Sequence, residues 1–133
     1  MKKILLVEDD KFLANLLKLK LSKQGFEIIQ AYDGEEAIAK LRSIKPDLIL
    51  LDIILPKKNG FELMKEINQD SHLPQVPIIV VSNLAQEEDM VRGRKLGAIE
   101  YFVKSRTSID DLVLKIKEIC QKKSGLDVSV QTA

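Results

Sequence analysis

The chain of 133 residues contains one cysteine, one histidine and no long apolar run. Because Cys120 is alone, an intramolecular disulfide is excluded and a reducing compartment is favoured. His72 has no second histidine with which to form a metal site, so we interpret it as a solvated loop residue. No segment approaches the roughly 18 apolar residues of a membrane span, and the N-terminal apolar run is too short for a secretory signal. We therefore expect a soluble cytoplasmic protein.

The chain also has almost no excess of positive or negative charge. Lysine and arginine number 21 against 20 aspartate and glutamate residues, the formal net charge is +1, and there is no basic block. Direct nucleic-acid binding is therefore not expected. Hydrophobic residues make up 45% of the chain, which is enough for the core of one domain. We expect that domain at residues 1–123 and a flexible tail at 124–133, where the helical period is lost.

Short apolar runs alternate with longer amphipathic segments along the chain. The runs predict five strands, at 4–7, 26–32, 47–55, 76–82 and 98–103. The amphipathic segments predict five helices, at 11–24, from the cap Asp33 to the residue before Pro46, and at 59–69, 86–97 and 108–123. Strands that are apolar on both faces and separated by helices predict an α/β fold with a doubly wound, five-stranded parallel sheet. The expected strand order is 2-1-3-4-5, as in flavodoxin-like three-layer sandwiches.

Polar residues with complementary chemistry follow these predicted strands. Glu8 and Asp9 follow strand 1, Asp52 lies near the end of strand 3, Ser82 ends strand 4 and Lys104 follows strand 5. In such sheets the functional crevice lies beyond the carboxyl ends of the strands, where the strand order reverses. One crevice is therefore predicted to collect several carboxylates, a hydroxyl and an ammonium.

Crowded carboxylates disfavour one another's ionisation, and a hard divalent cation relieves this repulsion. Mg²⁺ is typically held by one or two carboxylates together with phosphate oxygens. Lys104 and Ser82 are suited to an incoming phosphoryl group, and a carboxylate such as Asp52 can act as the nucleophile in phosphoryl transfer. Asp10, which directly precedes the first helix, is better explained as its N-terminal cap.

The chain resembles the response regulator receiver domains, the CheY-like superfamily, over residues 2 to about 122. The resemblance rests on four motifs in order, "LLVEDD", "LLDIILPKKNG", "VVSN" and "LGAIEYFVKS". It implies a signalling domain rather than an enzyme, since such domains catalyse only their own phosphorylation and dephosphorylation. The phosphoryl group is expected to come from a histidine kinase or a histidine phosphotransfer protein.

The resemblance also implies a role for each matching residue. Asp52 would be the phosphoacceptor and Lys104 the partner of the phosphoryl oxygens. The metal ligands, for Mg²⁺ or Mn²⁺, would be Glu8, Asp9, Asp52 and the backbone carbonyl of Ile54. Ser82 would be the switch hydroxyl and Tyr101 the switch aromatic residue. Taken singly, Ser82 is also explained as an ordinary strand-end residue, Lys104 as a solvated side chain and Tyr101 as a residue packed at the edge of the sheet.

Three departures from the family pattern stand out. Asn83 follows Ser82 where a small residue is usual, so it would crowd the phosphate site or form a bond across it. Ser105 follows Lys104 where proline, often cis, is usual, which predicts a trans bond and a repositioned loop. Ile54 and Leu84 are apolar and offer nothing to position a water molecule, which predicts slow self-dephosphorylation.

Other functions fit this sequence less well. A hydrolase with an aspartyl nucleophile commonly has an acid two positions later, where this chain has Ile54. A nucleotide or flavin binder would need a glycine- or hydroxyl-rich loop after strand 1, but "VEDDKF" offers carboxylates. A pseudo-receiver scaffold would not retain Asp9, Asp52, Ser82 and Lys104 together. Cys120, Met64 and Met90 are interpreted as core residues.

The expected output is a contact with an unknown protein through the face of helix 4, strand 5 and helix 5. Ten residues after helix 5 are too few for an effector domain, so protein binding or onward phosphotransfer is the expected output, unless the chain is a piece of a longer protein. The segment "EEDMVRG" resembles helix 4 of receivers that dimerise through this same face. A homodimer through this face is one interpretation of the segment, and ordinary exposed charges on a helix are the other.

Overall fold

The computed structural model describes the backbone of residues 2–132 and the side chains of residues 2–121. Five strands are present: β1 (Lys3–Val7), β2 (Glu27–Ala31), β3 (Leu48–Leu51), β4 (Ile78–Ser82) and β5 (Ala98–Val103). The α-helices are α1 (Lys11–Lys23), α2 (Gly34–Leu41), α3 (Gly60–Gln69), α4 (Glu87–Lys95) and α5 (Ile109–Thr132). A 3₁₀ turn, Lys104–Arg106, separates β5 from α5. The tail predicted at 124–133 lies outside the residues whose side chains are described, so it stays a prediction.

All strand pairs are parallel and the sheet order is β2-β1-β3-β4-β5. The predicted fold class and strand order are therefore confirmed. Because β1 lies between β2 and β3, the chain reverses its direction of winding there, and a crevice opens beyond the ends of β1 and β3.

The sheet is buried on both faces because its three central strands are apolar at every position except Lys3 and Ser82 at their ends. In β1, Leu5 and Val7 pack into one core while Ile4 and Leu6 pack into the other. The first core lies under α2 and α3, and the second lies under α1 and α5. Cys120 belongs to the second core, as predicted. Among the described residues, no helix has the length and apolar character needed to cross a bilayer.

Side-chain caps start the helices that border the crevice. The Asp10 carboxylate accepts hydrogen bonds from the backbone N–H groups of Phe12 and Leu13, at 3.0 and 3.1 Å, which confirms its predicted capping role. Asp33 accepts from the N–H of Glu36 at 2.8 Å and so starts α2 as predicted. These bonds satisfy N–H groups that have no partner within the helix.

The third strand is shorter than predicted. The sequence favoured a strand over 47–55, but β3 ends at Leu51. The reason is a turn in which the Asp52 carboxylate accepts the N–H of Ile54, while the Ile53 carbonyl accepts the N–H of Gly60. The apolar residues 53–55 therefore belong to a loop that returns towards α3.

The turn after β5 agrees with the prediction made from Ser105. The bond between Lys104 and Ser105 is trans, like every peptide bond of residues 2–132. The 3₁₀ turn then leads to Ser108, whose hydroxyl accepts the N–H of Asp111 at 3.1 Å at the start of α5. This turn holds Lys104 at the edge of the crevice.

Gly60 allows a close approach between α3 and the loop after β3. A Cβ at position 60 would lie 2.6 Å from the Asp52 carbonyl oxygen and 2.7 Å from Ile53 Cα. Both are backbone atoms of the segment that carries Asp52, so they cannot rotate away. Only glycine fits here without shifting that segment.

We predict that Gly60→Ala lowers the free energy of unfolding by about 2 kcal/mol, because overpacking outweighs the better helix propensity of alanine. Gly93→Ala is the matched comparison. Its Cβ would meet side-chain atoms rather than backbone, namely Tyr101 ring carbons at 3.1 and 3.2 Å and a Phe61 ring carbon at 4.0 Å. For Gly93→Ala, the steric cost of the added Cβ and the better helix propensity of alanine should nearly cancel. The free energy of unfolding should then change by less than about 1 kcal/mol. Urea titration measures both variants, and equal losses would contradict the prediction.

Candidate functional site

Backbone hydrogen bonds bring the ends of three strands into line. The N–H of Glu8 donates to the Ala31 carbonyl at 3.0 Å, and the N–H of Asp52 donates to the Val7 carbonyl at 3.0 Å. Both bonds continue the sheet register one step beyond the pairing of Val7 with Ala31 and Leu51. Glu8 and Asp52 therefore emerge side by side at the predicted crevice.

One ammonium joins the two carboxylates. The Nζ atom of Lys104 lies 2.7 Å from Glu8 Oε1 and 2.6 Å from Asp52 Oδ2. The two acidic side chains are only 3% and 5% exposed. Their other oxygens accept backbone N–H groups at 3.1 Å, that of Ile54 at Asp52 Oδ1 and that of Asp10 at Glu8 Oε2. Each carboxylate oxygen thus has a donor, as buried charges require.

Burial and neighbouring charges shift the pKa values within this group. Burial raises the pKa of Glu8 above its usual range, the Lys104 hydrogen bond opposes this rise, and the charge of Asp52 adds to it. Burial acts to lower the pKa of Lys104, but the hydrogen bonds and charges of Asp52 and Glu8 outweigh it and the pKa is raised. Lys104 is therefore a permanent cation at neutral pH.

Asp9 completes an acidic cluster that fits a divalent cation. Glu8, Asp9 and Asp52 each offer a carboxylate oxygen, and these oxygens lie within 4.8 Å of one another. Glu8 and Asp52 are buried, whereas Asp9 is exposed. Three carboxylates against the single ammonium of Lys104 leave an excess of negative charge, and oxygen donors of this kind suit Mg²⁺ or Mn²⁺.

The loop after β4 is fixed by hydrogen bonds to Ser82 and Tyr101. Ser82 is fully buried, and its hydroxyl oxygen accepts the N–H of Leu84 at 3.3 Å. The Tyr101 side chain is buried, and its hydroxyl donates to the Leu84 carbonyl at 2.6 Å. Burial and the charges of Asp89 and Asp52 raise the pKa of Tyr101 to about 12, so the phenol stays protonated. Ser82 and Tyr101 thus contact the same loop residue.

A hydrogen bond joins the loop after β4 to the turn after β5, and the sequence predicted only one of its two partners. The N–H of Ser105 donates to Asn83 Oδ1 at 3.1 Å. Asn83 therefore bonds across the site, which is one of the two alternatives predicted for it. The signal for its partner was the missing proline at position 105, because proline has no N–H to donate.

Met64, Met90 and His72 lie outside the acidic cluster, whereas Ile54 borders it because its N–H donates to Asp52. Met64 is fully buried and Met90 packs against the same core, as predicted. His72 is 88% exposed at its side chain and lies beside Asp70, which agrees with a solvated loop residue. Ile54 is 57% exposed and supplies no acid two positions after Asp52, so the site lacks the second acid of a hydrolase.

Comparison with known proteins gives consistent results. The chain matches the family model of the response regulator receiver domain over residues 4–117. It is 43% identical over 122 residues to the transcriptional regulatory protein CpxR of Klebsiella pneumoniae subsp. pneumoniae (strain HS11286), covering 92% of this chain and 50% of that protein. It is 42% identical over 103 residues to the alkaline phosphatase synthesis transcriptional regulatory protein PhoP of Bacillus subtilis (strain 168), covering 77% and 42%. The chain thus spans about half the length of these relatives.

Solved structures show the same architecture. A two-component response regulator from Clostridium difficile matches with a TM-score of 0.83 and 32% identity, covering 92% of this chain and 98% of that one. The Mn²⁺-bound form of response regulator Rcp1 matches with a TM-score of 0.79 and 36% identity, covering 89% and 93%. With its strand order, its acidic crevice and a family match over most of its length, the chain belongs to the response regulator receiver domains of two-component systems.

Proposed function

We propose that Asp52 accepts a phosphoryl group from a histidine of a partner protein. The observation that carries this proposal is the Lys104 ammonium, which lies 2.6 Å from Asp52 and 2.7 Å from Glu8 within an acidic cluster. A buried carboxylate beside a fixed cation and a set of oxygen ligands suits phosphoryl transfer, in which positioning and electrostatics provide most of the rate.

The chemistry is a displacement at phosphorus. A carboxylate oxygen of Asp52 forms the new P–O bond while the P–N bond of the phosphohistidine breaks, and the imidazole leaves with the electron pair. Lys104 then stabilises the added charge. Glu8 and Asp9, with Asp52 and the Ile54 carbonyl, would hold Mg²⁺, which when bound would neutralise phosphoryl oxygens. The Mn²⁺ reported for Rcp1 supports such a metal site in this fold.

The proposed output is a change in the face formed by α4, β5 and α5. The new dianion would draw the Ser82 hydroxyl, which now accepts the N–H of Leu84. Tyr101 would sense this change because its hydroxyl is bonded to the same residue. The charge change is thereby coupled to the loop that leads into α4.

The partners follow from this role. We propose a histidine kinase or histidine phosphotransfer protein as the donor, and a protein bound at the α4–β5–α5 face as the output, with a homodimer through that face as a further form. The receiver would occupy residues 1–123, act in the cytoplasm and make no direct contact with nucleic acid.

The first prediction from the proposed function concerns phosphoryl uptake. Incubation with acetyl phosphate and Mg²⁺ should add one phosphoryl group, seen by intact mass, because Asp52 is an activated nucleophile. Asp52→Ala and addition of a chelator should each abolish the gain. The control Asp47→Asn, which lies just before β3 whereas Asp52 lies just after it, should retain the gain. No gain by the wild-type protein from any donor would refute the proposed function.

Lys104 allows a graded version of the same experiment. Lys104→Ala should slow phosphoryl uptake on the order of 10²-fold, because it removes the fixed positive charge that would stabilise the transferring phosphoryl group. Lys115→Ala, which removes an exposed lysine of α5, should not change the rate. Equal rates for both variants would contradict the assigned role of Lys104.

The second prediction concerns the lifetime of the phosphoryl group. Ile54 and Leu84 have no polar side-chain atoms with which to orient a water molecule for attack. After removal of the donor, the phosphoprotein should therefore persist for many minutes, measured by intact mass. Ile54→Asn should shorten the lifetime severalfold. A wild-type half-life of seconds would show that the apolar pair does not protect the phosphoryl group.

The third prediction concerns Tyr101 and pH. Because the folded-state pKa is about 12 against an ordinary value of 10, stabilisation by the neutral phenol is complete below pH 10 and is lost as the pH rises through 12. Tyr101→Phe should cost about 1 kcal/mol at neutral pH through the lost hydrogen bond, and this deficit should shrink above pH 10. Denaturant titrations of the wild-type protein and of Tyr101→Phe between neutral pH and pH 12 measure this difference in the free energy of unfolding.

Tyr32→Phe is the control at neutral pH. The Tyr32 hydroxyl has no hydrogen-bond partner among the described residues, so its removal should change stability little. A deficit of Tyr101→Phe that stays constant between pH 8 and pH 12 would contradict the raised pKa of the phenol in the folded state.

A further inference from the structure

Asn83 and Ser105 form a bond that continues the sheet beyond its last paired residues. The register between β4 and β5 ends with Ser82 opposite Val103. One step further on, the Asn83 side chain takes the place of a strand carbonyl and accepts the N–H of Ser105 at 3.1 Å. The accepting residue directly follows Ser82, and the donated N–H belongs to the peptide bond of Lys104.

This bond constrains the lysine of the site. The N–H of Ser105 and the carbonyl of Lys104 share one rigid peptide plane. Holding that N–H fixes the backbone from which the Lys104 side chain reaches Glu8 and Asp52. On its other side, the loop of Asn83 is already fixed at Leu84 by Ser82 and Tyr101.

Asn83 and Ser105, two departures from the family pattern, depend on each other to form this hydrogen bond. A small residue at position 83 would offer no acceptor, and a proline at position 105 would offer no donor. Both Asn83 and Ser105 are exposed, so after loss of the bond water can satisfy each group. The bond therefore contributes little to stability, and its effect lies in the placement of the loop.

We propose that Asn83 is a positioning residue that places Lys104 for phosphoryl transfer through the Ser105 N–H. The inference rests on the proposed function of Asp52. Asn83 itself need not touch the phosphoryl group. Positioning by Asn83 therefore depends on a residue with an N–H at position 105.

The test measures phosphoryl gain against acetyl phosphate concentration for the full chain with Mg²⁺. Asn83→Ala should lower the saturating rate about 10-fold and leave the half-saturating concentration within about 2-fold, because misplacement of a catalytic group slows the step rather than binding. The melting temperature should not change. The control Gln86→Ala removes an amide from the same loop that makes no capping hydrogen bond, and it should behave as wild type.

A double-mutant cycle tests the pairing. Ser105→Pro removes the donor and should slow the reaction, and Asn83→Ala should add no further loss in that background. Hydrogen exchange at the Ser105 amide is a separate readout. It should be protected in wild type and in Asn83→Asp, which keeps the acceptor oxygen, and it should exchange faster in Asn83→Ala.

Three results would overturn the inference while leaving the proposed function intact. They are a saturating rate of Asn83→Ala within about 2-fold of wild type, multiplicative losses in the double mutant, and equal exchange at Ser105 with and without Asn83. Failure of the wild-type protein to take up phosphate would instead refute the proposed function, and with it the positioning role. Exchange at Ser105 would then report on the hydrogen bond alone.

Discussion

The Lys104 ammonium between Glu8 and Asp52 is the interaction on which the site depends. Two carboxylates that are nearly removed from water would repel each other and lose solvation, and one shared cation compensates for both. Backbone N–H groups satisfy the remaining oxygens, so the geometry of the main chain and the charge balance of the site are inseparable. Asp9 then adds a third negative charge, which leaves the cluster as a receptor for further positive charge.

The parallel sheet is what makes this concentration of charge possible. Parallel strands all end at the same edge, so residues distant in sequence converge there while the apolar strands stay within two cores. The junction from β3 to α3 shows how tightly this edge is built. The missing side chain of Gly60 leaves room for the carbonyl of Asp52, and the packing of a helix thereby sets the position of a buried acid.

Much of this arrangement was predictable because it is encoded locally. Apolar runs, amphipathic periods and caps such as Asp10 and Asp33 act over a few residues, and they predicted the elements and their order. The site residues were predictable as acids, a hydroxyl and a lysine at strand ends, although their chemical roles remain proposals. The early end of β3 and the bond from Ser105 to Asn83 were harder to foresee. They depend on how close separate segments come, which no local pattern specifies.

The anchor of Tyr101 has a consequence for how such a domain can change over time. Its hydroxyl is held by the main-chain carbonyl of Leu84, and every amino acid provides that carbonyl. Substitutions at position 84 can therefore alter the side chain of this loop without removing the acceptor that Tyr101 uses. Under the proposed function, the side chain of residue 84 would influence how long a signal persists and its main-chain carbonyl would help to transmit it, so selection could adjust the first while the second is inherited unchanged.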